Sequence, residues 1–278
     1  MRRILINIAL LMCSSAAFAT QISWMNEVPG TVDMGDGERF AAMKMSVNIP
    51  LEDVTRARER FESSVNIELN QFRWSGTTAA QADYFWVSAP MKYRQKRLSG
   101  HEFHLYFEPG LMTDLDSIGT ESLAANVEVS GRILRSATSF WQYGIIVDRS
   151  FGDFNPRPVI AFASKLTRDT EALLGFPRSR IQTRWSDTVS TFARFYPDGG
   201  IWREEVDAVT PATTTTVAYT NWRTGVGAEF RWRSGLWLSA EIGQMRNRHI
   251  RATDASGTEV RADAAENGYW QLGGRLRF

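Results

Sequence analysis

The carboxy-terminal eleven residues alternate without interruption. From Gly268 to Phe278 one face carries Trp270, Leu272, Gly274, Leu276 and Phe278, and the other carries Tyr269, Gln271, Gly273, Arg275 and Arg277. A period of two is the signature of a strand, and a strand with one apolar and one polar side separates two different media. The pattern recurs upstream. Trp222, Thr224, Val226, Ala228, Phe230 and Trp232 oppose Arg223, Gly225, Gly227, Glu229 and Arg231. Trp141, Tyr143, Ile145 and Val147 oppose Gln142, Gly144 and Asp148, with Ile146 as an exception, and Val127, Val129, Gly131 and Ile133 oppose Glu128, Ser130 and Arg132. Tryptophan at both ends of an apolar face suits a sheet whose outer side meets lipid, because aromatic girdles mark the two membrane interfaces. A soluble β-sandwich also alternates, but its buried face has little use for such girdles.

In Gln271, Gly273, Leu276 and Phe278 the polar-x-Gly-x-x-hydrophobic-x-aromatic spacing resembles the insertion signal of bacterial outer-membrane β-barrels. The resemblance implies recognition by the barrel-assembly machinery and a location in the outer membrane of a Gram-negative bacterium. The other end of the chain is consistent with that route. Arg2 and Arg3 precede an apolar run from Ile4 to Met12, and Ala17-Phe18-Ala19 forms an A-x-A site with Thr20 as the first mature residue. The run is roughly half the ~20 residues of a spanning helix, so residues 1–19 are expected to be a cleaved secretory signal. Met12 before Cys13 is not the small residue that lipoprotein processing wants. Cys13 is the only cysteine, so the mature chain is expected to lack disulfides and thiol chemistry. Loss of Arg2 and Arg3 takes the formal charge from +1 to about −1, without the broad basic field of a nucleic-acid partner.

The pattern predicts an all-β, antiparallel, up-and-down transmembrane barrel over residues 39–278, with twelve strands and a range of ten to fourteen. Strands are expected at Arg39–Ile49, Phe61–Trp74, Asp83–Arg94, Glu102–Leu111, Asn126–Arg135, Ser139–Arg149, Arg157–Lys165, Thr188–Tyr196, Gly200–Asp207, Trp222–Trp232, Leu236–Asn247 and Gly268–Phe278; the tenth starts as early as Thr215. Pro197-Asp198-Gly199-Gly200 reads as a turn. Arg233-Ser234-Gly235 is a short hairpin connection, whereas a long polar excursion through Asp254 precedes the last strand, and short turns of such barrels face the periplasm. Leu166 to Asp187 forms either two more strands or an inward loop. Residues 20–38, flexible at Gly30, Gly35 and Gly37, form either a periplasmic tail or a segment inside the lumen.

Asn155-Pro156-Arg157-Pro158, Gly175-Phe176-Pro177-Arg178-Ser179-Arg180 and Gly199-Gly200-Ile201-Trp202-Arg203 resemble a family of uncharacterised proteobacterial outer-membrane barrels. The resemblance implies the fold and assigns no reaction.

Catalytic signals are thin. The histidines are His101, His104 and His249, no Gly-x-Ser-x-Gly elbow occurs, and His104 beside Glu102 reads as a solvated strand pair rather than a general base. Glu229, Glu241 and Asp148 read as parts of an arginine–carboxylate network rather than an acid protease dyad. His101 and His104 fall on opposite strand faces, and Asp114, Asp116 and Asp198 read as loop caps, so neither metal nor cofactor is expected.

What remains is the lumen. Arg132, Arg223, Arg231, Arg275 and Arg277 fall on predicted interior faces with Glu128, Glu229 and Glu241, and a short Arg233–Gly235 turn sets Arg231 opposite Trp237 and Glu229 opposite Ser239. If these charges pair, they fill the lumen; if arginines stay unpaired, they favour a small anionic solute. The leading expectation is a non-enzymatic channel or transporter for small solutes. The alternative is a structural or surface-interaction barrel with a plugged lumen, and a lipid hydrolase or protease ranks last. Outer-membrane lipid and lipopolysaccharide are the expected surroundings.

Overall fold

The computed structural model describes residues 20–33, 37–76, 80–97, 100–115, 118–206, 213–253 and 256–276. Seventeen strand segments follow one another: β1 (Thr20–Glu27), β2 (Gly30–Thr31), β3 (Arg39–Arg56), β4 (Glu59–Ser75), β5 (Ala80–Ser88), β6 (Met91–Lys96), β7 (His101–Thr113), β8 (Leu123–Ser136), β9 (Ser139–Val147), β10 (Arg157–Lys165), β11 (Thr170–Phe176), β12 (Ser179–Arg184), β13 (Val189–Val206), β14 (Thr213–Arg231), β15 (Leu236–Thr253), β16 (Glu259–Ala264) and β17 (Asn267–Leu276). Three pairs of segments are single strands with a break. β1 and β2 both pair with β3, β5 and β6 both pair with β4 and β7, and β16 and β17 both pair with β15. The result is a closed antiparallel barrel of 14 strands, sealed where β1 lies between β17 and β3.

The outward faces carry the apolar residues that the alternation assigned to them. Trp141, Tyr143, Ile145, Val226, Phe230, Ile242 and Leu272 are exposed, while Ile146, the exception in its strand, is buried inside. An apolar exterior of this extent is stable only against hydrocarbon. At the end where Thr20 pairs with Leu276, here the lower end, strands are joined by connections of two to four residues, such as Ala57–Arg58 and 232–235. Longer connections at 114–122 and 148–156 lie at the upper end. Arg231 pairs with Trp237 and Glu229 with Ser239, as the hairpin spacing requires.

Two expectations are corrected and one open alternative is resolved. Residues 20–27 are not a tail or a lumen plug but a wall strand, because a barrel needs its first strand to satisfy the open edges of its second and last. Pro197 to Gly200 do not turn the chain: β13 runs through them and stays paired with β14 over its whole length. Gly199 adopts φ +148, and a side chain there would run into the Tyr219 carbonyl, so the segment bends the strand instead of reversing it. The stretch after Leu166 forms two short strands, β11 and β12, of seven and six residues. Twelve expected strands thus become fourteen by one fusion and three additions.

Those short strands shape the whole molecule. Seven residues rise roughly 23 Å along the strand and less along the barrel axis once tilted, short of an apolar band ~25 Å tall. β13, β14 and β15 have 18, 19 and 18 residues. β12 pairs with β13 only as far as Phe195, and above that point β13 crosses inward until Arg203 accepts a backbone hydrogen bond from Asp114, beyond the end of β7 (3.2 Å). The upper part of the barrel is therefore a smaller ring of β13–β16, β2–β5 and β7, standing over a low sector formed by β8 to β12.

Closure by β1 yields a test. A chain lacking Thr20–Glu27 leaves the edges of β3 and β17 unpaired, and is expected to lose the heat-modifiable, compact electrophoretic form of a closed barrel. Retention of that form would show that β3 and β17 seal without β1.

Candidate functional site

The tall strands point aromatic side chains inward at the upper end. Phe40, Phe72, Tyr84, Trp86, Trp202 and Tyr219 are buried there, with ring centres 5.2 Å apart for Phe72–Trp202, 5.1 Å for Phe40–Tyr219 and 5.5 Å for Tyr84–Trp202. Edge and offset contacts at these separations make a packed core. It closes the upper ring.

Below the aromatic layer lies an ionic network, dry around Glu27 and bordering a cavity at Lys44, Glu68 and Asp198. Glu27, fully buried, accepts hydrogen bonds at Oε1 from the Tyr219 hydroxyl (3.0 Å) and Arg223 Nη2 (3.1 Å). Its Oε2 accepts from the Ala42 amide (3.1 Å), the Tyr219 hydroxyl (2.9 Å) and Arg248 Nη2 (2.9 Å). Asp198, in the bend of β13, pairs with Arg223 (2.7 Å) and Lys44 (2.8 Å). Glu68 pairs with Arg149 (2.5 Å), whose guanidinium centre lies 4.7 Å from the Trp86 ring and 5.5 Å from that of Trp202. Buried charges are tolerated only when both the ion pair and the remaining hydrogen-bonding capacity are satisfied, and Glu27 meets that condition.

Beside this filling, the inner faces of β4 and β6 to β9, with the bend of β13 and Lys44 of β3 opposite, line a cavity of about 570 Å³. Its lining begins near the lower turns with Arg60, Lys92, Arg94 and Arg132, and reaches Asp148 and Arg178 at the upper connections. Glu108 on its wall accepts from Trp86 Nε1 (3.0 Å), Ser88 (2.7 Å), Tyr106 (2.7 Å) and Asn126 (2.7 Å), a carboxylate held by four neutral donors. The roof is the 148–156 connection above the low sector. Asp148 caps the Ser150 amide (2.9 Å) and pairs with Arg178 (2.9 Å); Arg251 donates to the Gly152 carbonyl; Arg157 pairs with Asp153 (2.7 Å) and holds that carboxyl below the usual carboxylate range. One 3-10 turn, Arg149–Phe151, starts the roof and is anchored by the Arg149–Glu68 pair; side chains hold the rest.

The expected lumen residues divide. Arg132 lines the cavity, 3.9 Å from Glu102, with its guanidinium centre 4.7 Å from the Phe140 ring centre. Arg223 belongs to the buried network, so it is not an unpaired arginine open to solute. Glu241 is buried against Arg194 and Tyr269, Glu229 pairs with Arg180 (3.3 Å), and Arg231 and Arg275 each stand 5.8 Å from the Trp237 ring centre. Gln271 accepts from Arg194 Nη2 (3.0 Å), and Gly273 leaves room for Ser239, while Leu276 pairs with Thr20. Phe278, Arg277, Ala17 and Ala19 fall outside the described residues. Asp198 is not a loop cap but a half-buried ion-pair partner within β13. Sequence reading missed Glu27, Arg248, Lys44, Glu68 and Arg149 and misread Asp198; the inward parity of Lys44 and Glu68 in predicted strands was the available signal. His104 lies 3.3 Å from Glu102 and His249 2.6 Å from Asp263, and no serine or threonine hydroxyl completes either pair among the described residues.

A closed antiparallel ring with an apolar exterior and a charged interior defines an integral membrane β-barrel. No protein-family model matches the chain, and no curated protein does, so the resemblance to an uncharacterised family stands on the quoted residues alone. Among solved structures the chain is similar to the β domain of the Bordetella autotransporter BrkA (10% identity, 95% of this chain and 100% of that one, TM-score 0.43). It is also similar to the translocator domain of the autotransporter NalP from Neisseria meningitidis (16%, 100% and 94%, 0.40) and to the Pseudomonas putida toluene transporter TodX (7%, 97% and 92%, 0.39). Likenesses at this level carry no inference about function.

Removing one member of the ionic network should be costly. Glu27→Ala leaves buried Arg248 without a carboxylate and Arg223 with Asp198 alone, with an expected loss of about 3–5 kcal/mol. Urea unfolding followed by tryptophan fluorescence in lipid vesicles measures it; an unchanged midpoint would mean that the carboxylate is dispensable.

Proposed function

We propose that this protein is a Gram-negative outer-membrane barrel that passes small, preferentially anionic solutes along the eccentric cavity, with the 148–156 connection as its gate. One observation carries the reading: the unfilled space runs from arginines near the lower turns to the Asp148–Arg178 pair under the roof, while aromatic and ionic side chains fill the upper ring beside it. Its walls bear charge of both signs, as in selective pores. The short lower turns face the periplasm in this orientation, and the roof faces outward. No step of the proposed activity is catalytic. Residues 1–19 direct export, the barrel-assembly machinery reads Gln271, Gly273, Leu276 and Phe278, and outer-membrane lipid with lipopolysaccharide surrounds the apolar belt. A plugged structural barrel is the second reading, favoured by the packed upper ring.

Planar-bilayer recording of the refolded mature protein separates the two. Arg178 is half-exposed, so its pair with Asp148 is worth ~1 kcal/mol or less, and Arg178→Ala is expected to raise the frequency of openings by up to about fivefold. Selectivity for anions should weaken as salt rises. Silence from folded wild type and variant alike would favour the plugged barrel. Deletion of Phe278 is expected to lower the yield of assembled protein in the outer membrane, and normal assembly would remove the signal reading.

A further inference from the structure

The lower wall of the cavity gathers four cations, Arg60, Lys92, Arg94 and Arg132, and two of them, Lys92 and Arg94, lack a carboxylate at ion-pair distance among the described residues. Arg60 on β4 faces Arg94 on β6, and Arg94 in turn faces His104 on β7. Like charges directly opposite each other in a ladder are destabilising. Arg60 is neutralised by Asp53 (2.6 Å) and Glu62 (2.5 Å). Among the described residues, neither Lys92 nor Arg94 has a carboxylate within ion-pair distance. Lys92 stands 6.0 Å from the Tyr106 ring centre, and Arg132 keeps a buried Nε without a hydrogen-bond partner. Of the nearby carboxylates, Glu102 is shared among Arg132 (3.9 Å), Lys96 (3.5 Å) and His104, and Glu128 accepts from Ser130 (2.9 Å) and Gln142 (3.2 Å), which leaves Lys92 and Arg94 as the two cations without an ion pair.

We infer that Lys92, Arg94 and Arg132, with His104 between them, form a binding site for a small organic or inorganic dianion. Lys92 and Arg94 are two positions apart on one strand, about 7 Å, and Arg132 is two strands away, about 10 Å. These long side chains can converge on one ligand carrying two negative charges, whereas a monoanion compensates only part of the cluster. Arginine supplies paired N–H donors suited to carboxylate or phosphate oxygens. The site lies below the roof, so periplasmic solute reaches it with the gate closed. This inference rests on the reading of the cavity as a solute path and names what that path recognises.

The test is titration calorimetry of the refolded full mature barrel in detergent at low ionic strength, with succinate and inorganic phosphate as dianions and acetate as monoanion. At least one dianion should bind, acetate should bind at least about tenfold more weakly, and Arg94→Gln should weaken the dianion by about tenfold. Lys92→Gln, at an exposed position, provides the same test with the least risk to folding, and Arg233→Gln in a lower turn should change nothing. Which dianion binds distinguishes a carboxylate from a phosphate ligand. No binding of either dianion to folded wild type, equal binding of acetate, or undiminished binding by both variants would overturn the site. Because the titration needs no conduction, binding by a barrel silent in bilayers sustains the site and removes the conduit reading, and conductance without binding removes the site alone.

Discussion

Glu27 is the interaction on which the rest of the structure depends. Its strand, β1, seals the ring between β17 and β3, and its carboxylate is bound at once by Arg223 of β14, Arg248 of β15, Tyr219 and the Ala42 amide of β3. Charge–charge attraction is little screened in so dry a place, and an unmatched charge there is correspondingly costly. Arg223 also binds Asp198, which holds the bend of β13, and Asp198 binds Lys44. Closure of the wall, filling of the upper lumen and the inward path of β13 are therefore parts of one electrostatic network.

From that network follows the division of the lumen. A uniform 14-strand ring leaves a wide interior, and here the space is subdivided by letting one long strand cross it. β11 and β12 are too short to wall the full apolar height, so the upper ring closes without them, and the low sector is covered by the 148–156 connection. Backbone ladders hold the upper ring, whereas side-chain pairs such as Asp148–Arg178 hold the roof. Segments with few backbone hydrogen bonds open at lower free energy than a core, which sets the roof beyond Gly152 apart from its first turn, where Arg149 is anchored to Glu68. The cavity beneath it is polar, its acid Glu108 is bound by neutral donors, and on its lower wall Lys92 and Arg94 have no ion-pair partner among the described residues.

Much of the barrel was legible along the chain. The alternating faces of Ser139–Val147 and Trp222–Trp232 are a local property, and Trp141, Tyr143, Val226 and Phe230 do face outward. The Arg231–Trp237 contact followed from a short turn and the ladder geometry alone. Errors came where a local signal was answered by a distant partner. Pro197-Asp198-Gly199-Gly200 has the composition of a turn, but the paired length of β14 keeps it a strand. Thr20–Glu27 has a weak pattern of its own, a break at Val28-Pro29 and a glycine-containing connection obscure its pairing with β3, and its other partner is the far end of the chain.

The candidate site shows the same boundary. Parity assigned Arg132, Arg223, Glu229, Arg231, Glu241 and Arg275 to the interior, yet it could not separate Arg223, locked between Glu27 and Asp198, from Arg132, which borders open space. By itself the sequence determined that the chain forms an antiparallel barrel with a lipid-facing aromatic belt and a charged interior, since a period of two and the length of a turn depend only on neighbouring residues. Which charges cancel, where β13 leaves the wall and which part of the lumen stays open were decided by the tertiary structure, since Glu27 and Arg223 meet across 196 positions of chain and only ring closure brings them together.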